Sequence, residues 1–199
     1  MKILFLWGML VSEILIAQPR QGVPHIINYT RKDYLGSSQV WDIKQDARGV
    51  MYFGNASGLI EFDGEFWRKT LVSNQSTIRS LAIDEKGCLY VGAKGDFGYM
   101  NIDSAGIYKY NSLVPFIKDS AYLNFNDIWN TYATKHGVFF LSYYLAFQWE
   151  DGQLHVHKFQ ERLLPHLGFE IDGELYVIQD KTGLCKFDGE GFRVLPGGD

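Results

Sequence analysis

The sequence predicts an all-β chain of four-stranded antiparallel units, and three observations carry that expectation. A pattern of short alternating strands and tight turns at 38–64 returns at 76–103, more loosely at 126–153, and most loosely at 167–189. Equivalent positions recur at repeat-like intervals: Val40 to Ile78, Ile78 to Ile128, and Gly137 to Gly173. Gly is plentiful at 21 residues, Pro is scarce at 5, and 16% of residues are aromatic, as short strands joined by tight turns require. Repeats of about 40 residues with four strands each define a β-propeller. Each unit has two apolar faces and buries them by stacking on its neighbours. About four blades fit in 38–199 (roughly 38–75, 76–125, 126–163 and 164–199). We expect an open arc from a larger propeller, truncated at its C-terminal end, because the last unit ends without a closing strand.

The chain opens with a targeting pattern. Lys2 supplies a positive start, Ile3 to Ala17 is apolar apart from Ser12 and Glu13, and Leu15-Ile16-Ala17 offers a small residue for cleavage. Residues 1–17 therefore read as a signal peptide, and 18–37 as a lead-in. In the lead-in, Pro19 and Pro24 oppose regular structure, His25 to Tyr29 reads as an isolated strand, and the polar run Thr30 to Asp33 leads to a turn.

The first blade begins at Val40, where apolar and polar residues alternate with the two-residue period of a strand. Asp46-Ala47-Arg48-Gly49 is a turn opened by Asp and closed by Gly. Val50 to Gly54 is the second strand, Asn55 to Gly58 a turn, and Leu59 to Phe62 the third strand. Asp63-Gly64 is a hairpin signal, and Phe66 to Lys69 forms the fourth strand. In the second copy Ile78, Asp84, Gly87, Tyr90 and Gly92 replace Val40, Asp46, Gly49, Tyr52 and Gly54. The third copy carries Ile128, Gly137 and Phe140, after extra length around 104–125 that reads as a loop insertion. In the fourth, 183–189 repeats the Gly-Leu-x-x-Phe-Asp-Gly of 58–64. Gly54 and Gly92 are expected where a blade turns. The aromatics at 52, 90, 140 and 176 are expected to fill the spaces between blades.

Composition excludes some classes. A net charge of -4 without basic clustering gives no nucleic-acid footprint in this segment. Cys88 and Cys185 lie two repeats apart, so two buried thiols are expected rather than a bridge. No catalytic constellation stands out, and neither a cofactor nor a metal is implied. His155 and His157 share a strand face but lack an obvious third ligand. The Gly-rich stretch 92–98 follows a strand but opens no helix, so it is not a phosphate loop. Asp84 sits where capping a turn explains it.

The stretch 78–92 resembles the two-component regulator propeller repeat. Ile78, Leu81, Asp84, Gly87, Tyr90 and Gly92 carry the first half of that repeat, and Gly58, Leu59, Phe62, Asp63 and Gly64 the second. Lys32-Asp33-Tyr34, 39–43 and 51–55 look like the start of one subgroup, exported bacterial sensors with a triple-tyrosine domain, a membrane helix and an output module downstream. The third repeat departs from the pattern at Ser142 and the fourth at Ile178. The resemblance implies the periplasmic sensor region of a transcriptional regulator or hybrid histidine kinase. It also implies that this part of an inner-membrane protein reaches the membrane only through downstream sequence.

Propellers bind ligands over the central channel. The second residue of each inner strand is Trp41, Arg79 and Trp129, a set suited to stacking on a ring and binding an anionic group. Tyr143 and Tyr144 add a weaker candidate contact. The expected function is ligand sensing, with a small molecule or oligosaccharide as partner and no enzymatic activity in this segment. The alternatives are a protein-interaction scaffold, including a homodimer through the propeller, and a propeller lyase or glycosidase.

Overall fold

The computed structural model describes residues 22, 26–102 and 108–198. The signal peptide expected at 1–17, and Pro19 and Pro24, lie outside them. Four separate antiparallel sheets follow one another along the chain, each of four strands in sequence order. The first blade comprises β1 (Val40–Gln45), β2 (Met51–Asn55), β3 (Gly58–Phe62) and β4 (Trp67–Thr70). The second comprises β5 (Ile78–Ile83), β6 (Leu89–Ala93), β7 (Asp96–Ile102) and β8 (Tyr108–Ser112). The third comprises β9 (Asn130–Thr134), β10 (Gly137–Leu141), β11 (Leu145–Glu150) and β12 (Gln153–Lys158). The fourth comprises β13 (Leu163–Ile171), β14 (Glu174–Gln179), β15 (Gly183–Phe187) and β16 (Phe192–Val194). This is the expected all-β arrangement of four blades in an open arc.

Several local expectations change. The fourth blade does have a closing strand, β16, paired to β15 through Phe187 and Phe192. The region around 104–125 is not purely a loop: it contributes β8, followed by short 3-10 turns at Val114–Phe116 and Ser120–Tyr122. The lead-in has no strand at 26–29. Instead it forms a four-residue helix, α1 (Arg31–Tyr34), begun by Thr30, whose N–H and hydroxyl both donate to the Asp33 carboxylate.

Apolar side chains gather in three clusters, one for each junction between neighbouring blades. Tyr52 and Leu59 meet Ile78, Leu81, Val91 and Met100 at the first junction. Tyr90 and Phe97 meet Ile128, Phe140 and Phe147 at the second. Phe139, Leu141 and Phe159 meet Leu175, Val177, Cys185 and Phe187 at the third. The expected equivalence of 52, 90, 140 and 176 fails in the third blade. Tyr52 and Tyr90 point toward the following blade, whereas Phe140 points back onto Tyr90, with ring centroids 6.2 Å apart. The cause is the β9–β10 hairpin, where Gly137 already pairs with Thr134. In the second blade the corresponding Gly87 lies in the turn before β6. One residue of difference in a strand of period two reverses which side chains face forward. Phe139, fully buried, takes the forward role.

Gly92 is required by close approach rather than by a turn. A Cβ there would lie 2.5 Å from the Ile128 methyl and 2.7 Å from the Thr131 hydroxyl. β6 of the second blade and the inner strand of the third can sit this close only without a side chain at that point.

The lead-in covers the free side of the first blade. Tyr29 packs edge-on against Phe62 and Trp67, at 5.1 and 5.2 Å, and Tyr34 lies 5.7 Å from Trp67. Buried Asn55 holds the crossing backbone, accepting from the Ser37 N–H at 2.9 Å and donating to its carbonyl at 2.8 Å. On the fourth blade, Phe169 and Ile171 of β13 are 47% and 55% exposed, with nothing among the described residues covering that side.

Candidate functional site

The inner strands β1, β5, β9 and β13 run side by side around the centre of the arc. Antiparallel connectivity puts their starting ends and the β2–β3, β6–β7, β10–β11 and β14–β15 turns on one face, called the upper face below.

Trp41 and Arg79 are the extra residues of two β-bulges. The β1–β2 register slips between Val40 and Asp42, and the β5–β6 register slips between Ile78 and Ser80. A bulge leaves one residue unpaired and re-aims its side chain. In the third blade the backbone at Ile128 donates to Ala93 of the second blade, and Trp129 donates to Leu141 before β9 begins. The three residues singled out by repeat alignment thus occupy matching places, and their side chains meet. The Arg79 guanidinium lies 3.9 Å from the Trp41 ring centroid and 4.8 Å from that of Trp129. The two indoles are edge-to-face at 6.2 Å. Arg79 Nε donates to Asp127 Oδ1 at 2.8 Å, and both side chains are only about 15% exposed. Each indole N–H is buried without a hydrogen-bond partner among the described residues.

Tyr143, in the β10–β11 turn, extends the stack. Its ring lies 5.7 Å from Trp129, and the guanidinium of exposed Arg162 sits 4.2 Å from its centroid. His166 lies edge-on to Trp129 at 5.6 Å. Tyr144 is 53% exposed and makes none of the ring contacts of the stack. The result is a continuous series of aromatic and guanidinium groups: Trp41, Arg79, Trp129, Tyr143 and Arg162.

Sequence reading missed the polar side chains that clip the inner strands together. The residues that follow Trp41, Arg79 and Trp129 each carry one. Asp42 Oδ2 accepts from the Leu81 N–H at 2.7 Å, and Ser80 donates to the Ile128 carbonyl at 3.1 Å. Asn130 Oδ1 accepts from the His166 N–H at 3.0 Å. Tyr132 adds a bond to the Gly168 carbonyl at 2.7 Å, with burial pushing its phenol pKa up to about 12, so it remains a donor. The available signal was a polar residue at one matching position in three strands.

Asp84 is held as expected at its turn: its Oδ1 accepts from the N–H groups of Lys86 and Cys88. Both cysteines are free. Among the described residues no three His, Cys, Asp or Glu side chains converge as a metal site. His155 is exposed, but His157 is not the outward polar residue its strand suggested. It sits between Phe139, Phe187 and Phe192, with Nε2 at 2.7 Å from Gln148 Oε1. Two cavities lie elsewhere. One of about 540 Å3 runs between β12 and β16, and one of about 990 Å3 opens on the lower face among the turns of the second, third and fourth blades. No described helix is long and apolar enough to cross a membrane.

The fold and its clustered centre can be set beside known proteins. No family description matches the sequence, and no curated protein does. Solved structures do match, and they share the propeller fold. A catalytically inactive virginiamycin B lyase from Staphylococcus aureus, crystallised with quinupristin, aligns at TM-score 0.57 and 12% identity. That alignment covers 80% of this chain and 57% of the lyase. The extracellular domain of BT3049 from B. thetaiotaomicron, described as a hybrid two-component system, aligns at TM-score 0.55 and 16% identity. It covers 86% of this chain and 24% of that one. The corresponding domain of BT4673 aligns at TM-score 0.53 and 17% identity, over 79% and 21% of the two chains. The chain therefore spans little more than half of the lyase and about a quarter of the two-component domains.

Proposed function

We propose that the chain is the ligand-binding propeller of an exported sensor, the extracytoplasmic input region of a signal-transduction or transcription regulator. The observation that carries this is the upper-face stack, where three inner strands deliver Trp41, Arg79 and Trp129 to one point and Tyr143 prolongs it. Aromatic faces, guanidinium groups and unpartnered indole donors are the means by which proteins hold sugar rings and polar small molecules. The propeller likeness to extracellular two-component domains and the repeat motifs at 58–64 and 78–92 support the sensor role. On this reading the periplasmic location and the output belong to a larger membrane protein. The exposed apolar side of the fourth blade fits further blades beyond it.

The test is a titration of the 199-residue chain with a panel of mono- and oligosaccharides, read by tryptophan fluorescence and melting temperature. A ligand should change the emission and raise the melting temperature in the parent chain. It should do neither in a Trp129→Ala variant that keeps its β circular dichroism. A panel that shifts neither signal overturns the reading. A second reading, a docking scaffold, rests on exposed Phe169 and Ile171. It predicts concentration-dependent association that Phe169→Ser abolishes.

A further inference from the structure

The two arginines of the upper-face stack differ in what their charge faces. Arg79 is enclosed by Trp41 and Trp129 and paired to Asp127. Arg162 closes the stack from outside: one side of its guanidinium rests on the Tyr143 ring at 4.2 Å, the residue is exposed, and it makes no ion pair among the described residues. The carboxylates at the centre are already engaged. Asp127 holds Arg79, and Asp42 accepts from the backbone N–H groups of Leu81 and Ile43. The buried unpaired groups left there, the Trp41 and Trp129 N–H groups, are donors, and so is the exposed Arg162 guanidinium. An exposed guanidinium beside buried, unpaired N–H donors favours a ligand that brings acceptor oxygens, above all an anion.

We propose that the ligand is a saccharide bearing a carboxylate, and that Arg162 recognises the acid. This rests on the saccharide-sensing reading of the same stack. The planar fork of an arginine matches a carboxylate with two parallel hydrogen bonds. Stacking on Tyr143 fixes the plane beforehand, so less freedom is lost when the acid docks. Exposed Tyr144, adjacent in the same turn, offers its ring to the sugar. Arg79 sets the geometry of the rings, and Arg162 sets the charge preference.

The experiment uses the 199-residue chain with trigalacturonate, its fully methyl-esterified counterpart and sodium acetate, each measured by calorimetry and tryptophan fluorescence. The ester keeps the ring and removes the charge, and acetate keeps the carboxylate and removes the ring. The expected result is that trigalacturonate binds roughly tenfold tighter than its ester. Arg162→Ala should erase that preference, Arg162→Lys should restore only part of it, and added salt should narrow it. Equal binding of acid and ester overturns the role given to Arg162 and leaves the saccharide reading standing. Acetate binding as tightly as the sugar acid reduces the site to a bare carboxylate site and overturns the saccharide part. No binding of either sugar by the folded chain overturns both.

Discussion

The Arg79 guanidinium meets the Asp127 carboxylate at 2.8 Å across a separation of 48 residues, joining the inner strand of one blade to the approach of the next. The geometry depends on the backbone around Asp127. Gly95 N–H donates to the Asn126 carbonyl, and Lys94 and Asp127 form an isolated bridge. The ion pair is therefore placed by the β6–β7 hairpin, and the guanidinium is then held against two indoles. Removing Arg79 leaves a poorly solvated carboxylate and two exposed ring faces. Arg79→Ala should lower stability by roughly 2–4 kcal/mol in urea denaturation. The Arg79→Ala, Asp127→Ala double variant should lose less than the sum of the single changes. Strict additivity in that cycle would show that the pair is not coupled.

A smaller substitution tests the spacing between blades. Gly92→Ala places a methyl group where Ile128 and Thr131 already stand, at a junction with little room to relax. The expected cost is about 1–3 kcal/mol. Gly87→Ala should destabilise for a different reason, since its Cβ would meet nothing within 4 Å but its φ is +80°. Combining Gly92→Ala with Thr131→Ala should leave much of the loss in place, because the Ser80 hydroxyl and the Ile128 methyl remain. A neutral Gly92→Ala would refute the close-approach explanation.

Which parts of this architecture were legible in the sequence follows from the range of the interactions involved. Turns are local, and Asp46, Gly49, Asp84 and Gly87 identify themselves because one side chain caps backbone two and four residues away. The repeat offsets then placed Trp41, Arg79 and Trp129 at equivalent points, and their side chains do meet. Parity was not legible across the third blade, where one residue in the Thr134–Gly137 hairpin turns Phe140 backward. Bulges were equally invisible, since nothing in the residue types at 40–42 or 78–80 announces an unpaired position. Arg162 escaped because its partner, Tyr143, is 19 residues away in another turn, and no periodicity links them. The short α1 helix escaped because four residues are too few to show a helical period, although Thr30 and Asp33 carry the cap.

The cap formed by the lead-in should contribute measurably to stability. Tyr34 and Tyr29 both lie on Trp67, which itself stacks on Phe62 at 4.3 Å. Tyr34→Ala removes one ring from that group and should cost about 1–2 kcal/mol. The loss should be accompanied by a red shift of the Trp67 contribution to fluorescence and by faster amide exchange at 29–37. Faster exchange throughout the first blade, rather than at the lead-in, would show that the segment does more than cover one side.

The last expectation concerns acidification at the third junction. His157 is enclosed by Phe139, Phe187 and Phe192, and burial holds its pKa below the ordinary 6.5, with neighbouring His155 acting in the same direction. The other charged side chains along the cavity between β12 and β16 are Lys158 and Arg193, and Arg193 is paired to Asp188. A further cation in that setting is unfavourable. Because the folded state lowers the pKa, the neutral imidazole is the form that fits. Its contribution is complete above about pH 6.5 and is lost as pH falls from there through the lower folded-state value. His157→Gln keeps a polar partner for Gln148 but removes the proton-binding site. Between about pH 7.5 and pH 5 the parent chain should therefore lose more melting temperature than the variant, and hydrogen exchange should locate the difference in β12 and β16. Equal losses in the two proteins would place the acid sensitivity in other groups, among which the depressed carboxylates Asp63 and Glu174 titrate only near pH 2.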